Sequence, residues 1–172
     1  SSEEFEGLLK FSAKRELENL LKALKGEYIP PGPGNDPIRN PESLPTGKNF
    51  FAFDPSRIPS PKTYETGKKM AEELLEKFKE KTGRLPEKVA FVLWAVETIR
   101  HQGIMESQIL YLLGVKPRWD ERGRVIGLEL IPQEGLKRPR LDVVLTISGL
   151  YRDLFSNLVK LLDEAVSLAL SS

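Results

Sequence analysis

Between Tyr28 and Pro61 the chain places nine of its thirteen prolines. Proline fixes φ, removes a backbone donor and pushes the residue before it towards extended conformations. This stretch therefore cannot be a helix interior or a central strand. It also carries Ile38, Phe50, Phe51, Phe53 and Ile58, which a freely solvated linker would not need. Such a composition predicts a rigid, ordered arm pinned onto another element, and long ordered loops of this kind are usually functional.

The size of the chain, 172 residues, suits one domain or one domain with an appendage. An apolar share of 40% can build a core, and 30% charged residues cover a hydrated surface. With a net charge of +1 no global field recruits nucleic acid or an anionic membrane. The absence of cysteine excludes disulfides, thiolate metal sites and cysteine nucleophiles, and a single histidine, His101, excludes zinc sites of several imidazoles. The longest apolar run, Val89 to Val96, is too short to span a bilayer. The acidic start, Ser1-Ser2-Glu3-Glu4, has no signal-peptide pattern, so a cytoplasmic location is expected. Because the chain starts without methionine, it is expected to be a piece of something longer.

Hydrophobic spacing divides the chain into three parts: an N-terminal helical segment (1–26), the arm (27–61) and an α/β domain (62–172). In the first, Leu17, Leu20, Leu21 and Leu24 follow the spacing of one buried helix face, which Gly26 stops. Ser60-Pro61 reads as an N-cap followed by proline at the first helical position. It opens a helix to about Thr82 with a stripe of Met70, Ala71, Leu74, Leu75 and Phe78. Val89 to Ala95 and Val143 to Ile147 read as strands covered on both sides. A helix from about Thr98 to Leu113, broken near Gly103, follows the first of them. A hairpin around Asp120-Glu121-Arg122-Gly123 comes next, and a final helix over roughly Arg152 to Ala169 closes the chain. Strand, helix, strand, helix predicts a partial open, mainly parallel, Rossmann-like sheet flanked by helices.

Open parallel sheets bind ligands beyond the carboxyl ends of their strands. The two strand exits carry Glu97, Arg100 and His101 at the first, and Ser148, Arg152 and Asp153 at the second. If the strands are parallel, both sets lie on one edge. Glu97 and His101 stand four residues apart on one helix face and could clasp a divalent ion. The plainer reading has Glu97 favouring a helix N-terminus and Arg152 and Asp153 pairing locally. In the arm, Asn35, Asp36, Arg39 and Asn40 either serve function or satisfy turn backbone. Thr46-Gly47-Lys48 imitates the tail of a P-loop, but the upstream glycine and the following Ser or Thr are missing, so no nucleotide site is expected there.

Several longer words carry a resemblance. Pro31 to Pro41, Leu44-Pro45-Thr46-Gly47-Lys48-Asn49 and Phe53-Asp54-Pro55 resemble the large subunit of cobaltochelatase and magnesium chelatase. So do Val92-Leu93-Trp94, Leu112 to Val115, Arg138 to Val144 and Ser148 to Phe155. The resemblance runs from about Lys25 to Val166. The chain departs from the family at Asn35, where a second glycine is usual, and at Lys137, where glycine usually precedes the arginine. Ala95 to Arg100 is more similar to the cobalt-type members.

The resemblance implies a central fragment of the tetrapyrrole-binding subunit, inactive by itself. Its metal, Co²⁺ or Mg²⁺, is a substrate, with cobalt, as in cobalamin biosynthesis, favoured. ATP acts only through AAA+ ATPase and adaptor subunits, and a scaffold segment docking those subunits is the alternative role. A macrocycle bearing carboxylates calls for donors, with Arg39, Asn40, Arg138, Arg140, Ser148 and Arg152 as candidates. Metal insertion calls for ligands or bases, with Glu97, His101, Asp36 and Asp153 as candidates.

Overall fold

The computed structural model describes residues 2–34, 37–38, 43–51 and 53–171. Asp36, Arg39 and Asn40 lie outside the described residues. The chain forms two compact units, 1–54 and 55–172, so the N-terminal helix and most of the arm belong together.

In the first unit, α1 (Ser2–Leu24) is followed by the arm, whose short strands β1 (Pro31–Pro33) and β2 (Asn49–Phe51) pair in parallel. The arm is pinned to α1, and the pins are polar. The Thr46 amide donates to Ser12 Oγ at 3.0 Å, and Asn19 Nδ2 donates to the Gly47 carbonyl at 2.5 Å. The Thr46 hydroxyl donates to the Glu16 carboxylate. Ser12, Glu16 and Asn19 are spaced four and three apart, so they share one face of the helix. The leucine stripe expected to be buried is not: Leu17, Leu20, Leu21 and Leu24 are all exposed, Leu24 by 77%. Hydrogen-bonding demand of a proline-rich backbone, which cannot satisfy itself, decides which face of α1 is used.

The second unit is an α/β fold. Its first helix, α2 (Pro61–Thr82), begins as expected: Ser60 Oγ accepts from the Thr63 amide, and Gly83 ends the helix at φ 76°. Its buried face is Tyr64, Gly67, Ala71 and Leu75, whereas Met70, Leu74 and Phe78 are exposed. Gly67 is required here. A Cβ there would stand 2.4 Å from Ser107 Cβ and 2.8 Å from the Ile104 carbonyl, where α2 packs against α4.

β3 (Lys88–Leu93) leads into α3 (Ala95–His101) and α4 (Ile104–Leu112), the helix break falling at Gln102-Gly103. An antiparallel hairpin of β4 (Val115–Trp119) and β5 (Val125–Leu130) follows. Asp120 closes it, accepting from the amides of Arg122 and Arg124 and from Arg124 Nε at 2.7 Å. These donors hold the Asp120 carboxyl below its ordinary range, the Arg124 amide foremost. After the single turn α5 (Gln133–Leu136), β6 (Asp142–Ile147) pairs with β3 in parallel, from Lys88↔Asp142 to Leu93↔Ile147. The chain ends in α6 (Gly149–Leu154) and α7 (Ser156–Leu170), which are separated at Phe155.

The mainly parallel α/β expectation therefore holds, with one correction. β3 and β6 are covered on one face only. Phe91 and Leu93 are buried and α4 packs on both strands, whereas Ala90, Val92, Val144 and Thr146 are exposed on the opposite face. Among the described residues no helix is long and apolar enough to cross a membrane.

The core around α2 and α4 carries three buried phenols. Tyr64 donates to the Val115 carbonyl at 2.9 Å, and Tyr111 to Glu72 Oε1 at 2.7 Å. Burial, then the hydrogen bond to Glu72, pushes the Tyr111 hydroxyl up to about 12, and burial raises Tyr64 and Tyr151 as well. A raised folded-state value means that the fold prefers the neutral phenol. Its contribution is complete below the ordinary value near 10 and is lost as pH rises towards about 12. Chemical denaturation between pH 9 and 12 is expected to show stability falling through that window, with a shallower fall in Tyr111→Phe. An identical slope in the variant would refute the assignment.

Candidate functional site

Because β3 and β6 are parallel and in register through Leu93↔Ile147, both strands end at the same edge. The Ser148 amide continues the ladder by donating to the Leu93 carbonyl at 3.2 Å. The helices α3 and α6 start at that edge; α3 carries Glu97, Arg100 and His101, and α6, capped by Ser148, carries Arg152 and Asp153. Their individual contacts differ widely.

Glu97 pairs with Arg100 of its own helix at 3.0 Å, and both remain about half exposed. His101 has a local task. Its Nδ1 accepts from the amides of Gly103 at 3.2 Å and Ile104 at 3.1 Å, and so caps α4. A nitrogen that accepts backbone donors does not offer its lone pair to a metal. His101 Nε2 is buried and without a hydrogen-bond partner. Among the described residues no three His, Asp or Glu side chains gather into a metal-binding group. Ser148 Oγ accepts from the Tyr151 amide at 3.2 Å as the N-cap of α6. Arg152 and Asp153 are exposed and form no ion pair among the described residues.

Arg138 and Arg140, candidates for substrate contact, are turned inward. Arg138 donates through Nη2 to the Tyr111 carbonyl at 2.6 Å and through Nη1 to those of Leu112 and Pro139, and its guanidinium lies 4.7 Å from the Tyr111 ring centre. Burial lowers its pKa from the ordinary arginine value. Arg140 Nη1 donates to the carbonyls of Leu113 and Gly114, and its Nη2 to that of Ile131. Gly114, at φ 73°, makes room: a Cβ there would fall 1.9 Å from Arg140 Nη1. The two side chains add donors to carbonyls where α4 ends, several of which also accept a backbone amide, and tie that point to the approach into β6. Replacing Arg140 by Lys is expected to cost about 1–2 kcal/mol in urea unfolding, because an ammonium cannot fork across three carbonyls. An unchanged midpoint would return Arg140 to the surface candidates.

Sequence reasoning missed the residue on which this edge closes. Glu106, on α4, is fully buried. Its Oε1 accepts from the Thr98 hydroxyl of α3 at 2.6 Å and from the Tyr151 hydroxyl of α6 at 2.8 Å, and its Oε2 has no partner. One carboxylate oxygen thus joins the two helices that leave the strand tips. In the sequence Glu106 sits among Ile104, Met105 and Ile109; a charged residue in that apolar setting was the available signal. Glu106→Ala leaves two buried hydroxyls unsatisfied and is expected to cost about 3 kcal/mol, against about 1 kcal/mol for Glu106→Gln, which keeps an acceptor. Equal midpoints for the two variants in denaturant titrations would contradict this tie.

The first unit holds a separate open groove of about 710 Å³ between α1 and the arm, lined by Leu20, Tyr28, Lys48 and Phe50 among others.

Comparison with known proteins adds a lineage to this geometry. The CobN/magnesium chelatase family model matches residues 3–172. The chain is 48% identical to an uncharacterized protein of Methanocaldococcus jannaschii, over 89% of its own length and 12% of that protein's. It is 46% identical to the chloroplastic magnesium-chelatase subunit ChlH of Oryza sativa subsp. japonica, covering 91% of the chain and 11% of that subunit. Among solved structures it is similar to the catalytic subunit of cobaltochelatase from Mycobacterium tuberculosis, with TM-score 0.74 and 40% identity over 91% of this chain and 14% of that one. The chain thus spans between 11% and 14% of the length of these relatives.

Proposed function

Because this chain belongs to the CobN/magnesium chelatase family, we propose that it contributes to tetrapyrrole binding and divalent metal insertion within a large chelatase subunit. Insertion exchanges two pyrrole N–H bonds for bonds to M²⁺ and releases two protons, with no change of oxidation state. It needs groups that accept protons and groups that hold the carboxylates at the rim of the ring. The observation that carries the reading is the parallel register of β3 and β6, which supports a shared edge for Glu97, Ser148, Arg152 and Asp153.

In this scheme Glu97 and Asp153 accept the protons or receive the metal as it sheds water. Arg152, with no ion pair among the described residues, and Ser148 meet a rim carboxylate. His101 contributes by holding α4, and Arg138 and Arg140 by holding the entry into β6. ATP acts through AAA+ ATPase and adaptor partners. Cobalt is the proposed metal, on the character of Ala95 to Arg100.

A second reading makes the chain a docking segment for the ATPase partners, and the exposed leucine stripe of α1 favours it.

The test is an insertion assay on the whole subunit with its partners, run with Co²⁺ and with Mg²⁺. The double variant Glu97→Gln, Asp153→Asn is expected to lose about a hundredfold in kcat, in the range of general-base loss. Unchanged turnover with both metals would move the chemistry elsewhere in the subunit.

A further inference from the structure

The β3–β6 pair keeps one face of a parallel sheet in water, and the alternation of its side chains defines that face. Lys88, Ala90 and Val92 on β3 stand in register with Asp142, Val144 and Thr146 on β6, and all six are exposed. The alternate positions, among them the buried Phe91 and Leu93, belong to the face on which α4 packs. The pattern runs one residue further on each strand, because Trp94 (φ −112°, ψ 135°) and Ser148 (φ −71°, ψ 155°) are still extended. Trp94 therefore follows Val92 on the bare face. Two opposite charges, Lys88 and Asp142, begin the face and sum to zero. Small and apolar side chains continue it, with Val92 47%, Val144 45% and Trp94 58% exposed.

Single apolar residues in water are ordinary, but a bare face on a parallel sheet is not. Antiparallel sheets commonly keep one face in water, whereas parallel ones are covered by helices on both. Among the described residues of this unit no element covers the face: α2 and α7 pack on α4, and α7 packs also on the β4–β5 hairpin. Nor does a third strand join this sheet among the described residues. The cover must come from outside this unit. The family offers ample chain for it, because the segment spans between 11% and 14% of its relatives.

The dimensions narrow what fits. Two strands lie about 5 Å apart, so with their side chains the face is about as wide as one α-helix, about 10 Å, and too narrow for a second sheet. Six strand residues run about 20 Å, the length of a helix of about 13 residues.

We propose that one amphipathic α-helix, contributed by another part of the large chelatase subunit, packs along the bare face of β3 and β6. Its apolar stripe lies on Ala90, Val92, Val144 and Trp94, and its polar groups meet Lys88 and Asp142 at one end. The proposal rests on family membership and on the sheet, and not on the insertion scheme: the helix handles neither protons nor metal.

The chain has no cysteine, so an introduced one is a reporter of its own surroundings. Val92→Cys and Val144→Cys are labelled with a maleimide in the 172-residue chain and in the whole subunit. The modified peptide is read by mass spectrometry, and each rate is divided by that of the same site in urea. Circular dichroism of the chain is expected to be unchanged by either substitution. Labelling is expected to be at least about tenfold slower in the whole subunit than in the chain, because it then waits for the helix to lift. A smaller ratio means a face still in water and overturns the proposal. Benzoylphenylalanine placed at position 92 or 144 of the whole subunit then identifies the cover by photo-crosslinking. The expected products stay within one polypeptide and join this segment to residues elsewhere in it, spaced three and four apart. Products spaced two apart would make the cover a strand and overturn the helix. Products with a second copy or with an ATPase partner overturn the assignment to the subunit itself. Neither arm reads metal insertion, so failure of the catalytic scheme leaves this result unchanged.

Discussion

Two parallel strands cannot be joined by a tight turn, so the chain between Leu93 and Asp142 must travel from one end of the ladder to the other. Here the crossover contains α3, α4, the β4–β5 hairpin and the turn α5. The in-register pairing of β3 with β6 then obliges both strands to release their following helices at one edge. Glu97, Arg100, Ser148, Arg152 and Asp153 take their places from that obligation. A slip of one residue would exchange the buried Phe91 and Leu93 for the exposed positions beside them, so burial on one face defends the register.

Polar side chains inside the unit hold this arrangement as much as apolar packing does. Arg138 and Arg140 occupy carbonyls at the end of α4, and the Leu141 amide donates to the Leu112 carbonyl, so the strand enters the ladder at a set point. Glu106 performs the matching task at the exit, gathering Thr98 and Tyr151 from two helices onto one oxygen. Buried groups of this kind are costly unless satisfied, which is why removing one partner is felt by the others.

The first unit follows a different logic. Prolines remove donors from the arm, and the carbonyls and amides that remain near Thr46 and Gly47 find partners on Ser12, Glu16 and Asn19. That the arm is pinned to another element was legible from its composition, and the contacts at Thr46 and Gly47 bear this out. Its anchor was not, because the leucine spacing of α1 pointed to a different face from that of Ser12, Glu16 and Asn19. Periodicity reports which face is apolar; it does not report which neighbour exists to cover it.

Although the start of α3 and the break at Phe155 were not legible, from the sequence alone one could determine the start and stop of α2, the helix break at Gly103, the hairpin at Asp120, the two strands, their common direction and the family resemblance. These rest on local rules, such as the Ser60 cap, the glycine stops and the runs of β-branched residues, that act within a few residues. Tertiary structure alone decided the partners. It turned Arg138 and Arg140 inward, made His101 a helix cap, buried Glu106 between two hydroxyls and left Trp94 in water. A side chain's type sets what it can bond, but a hydrogen bond between residues 106 and 151 exists only once the intervening chain has folded back on itself. That return path is encoded in no local window.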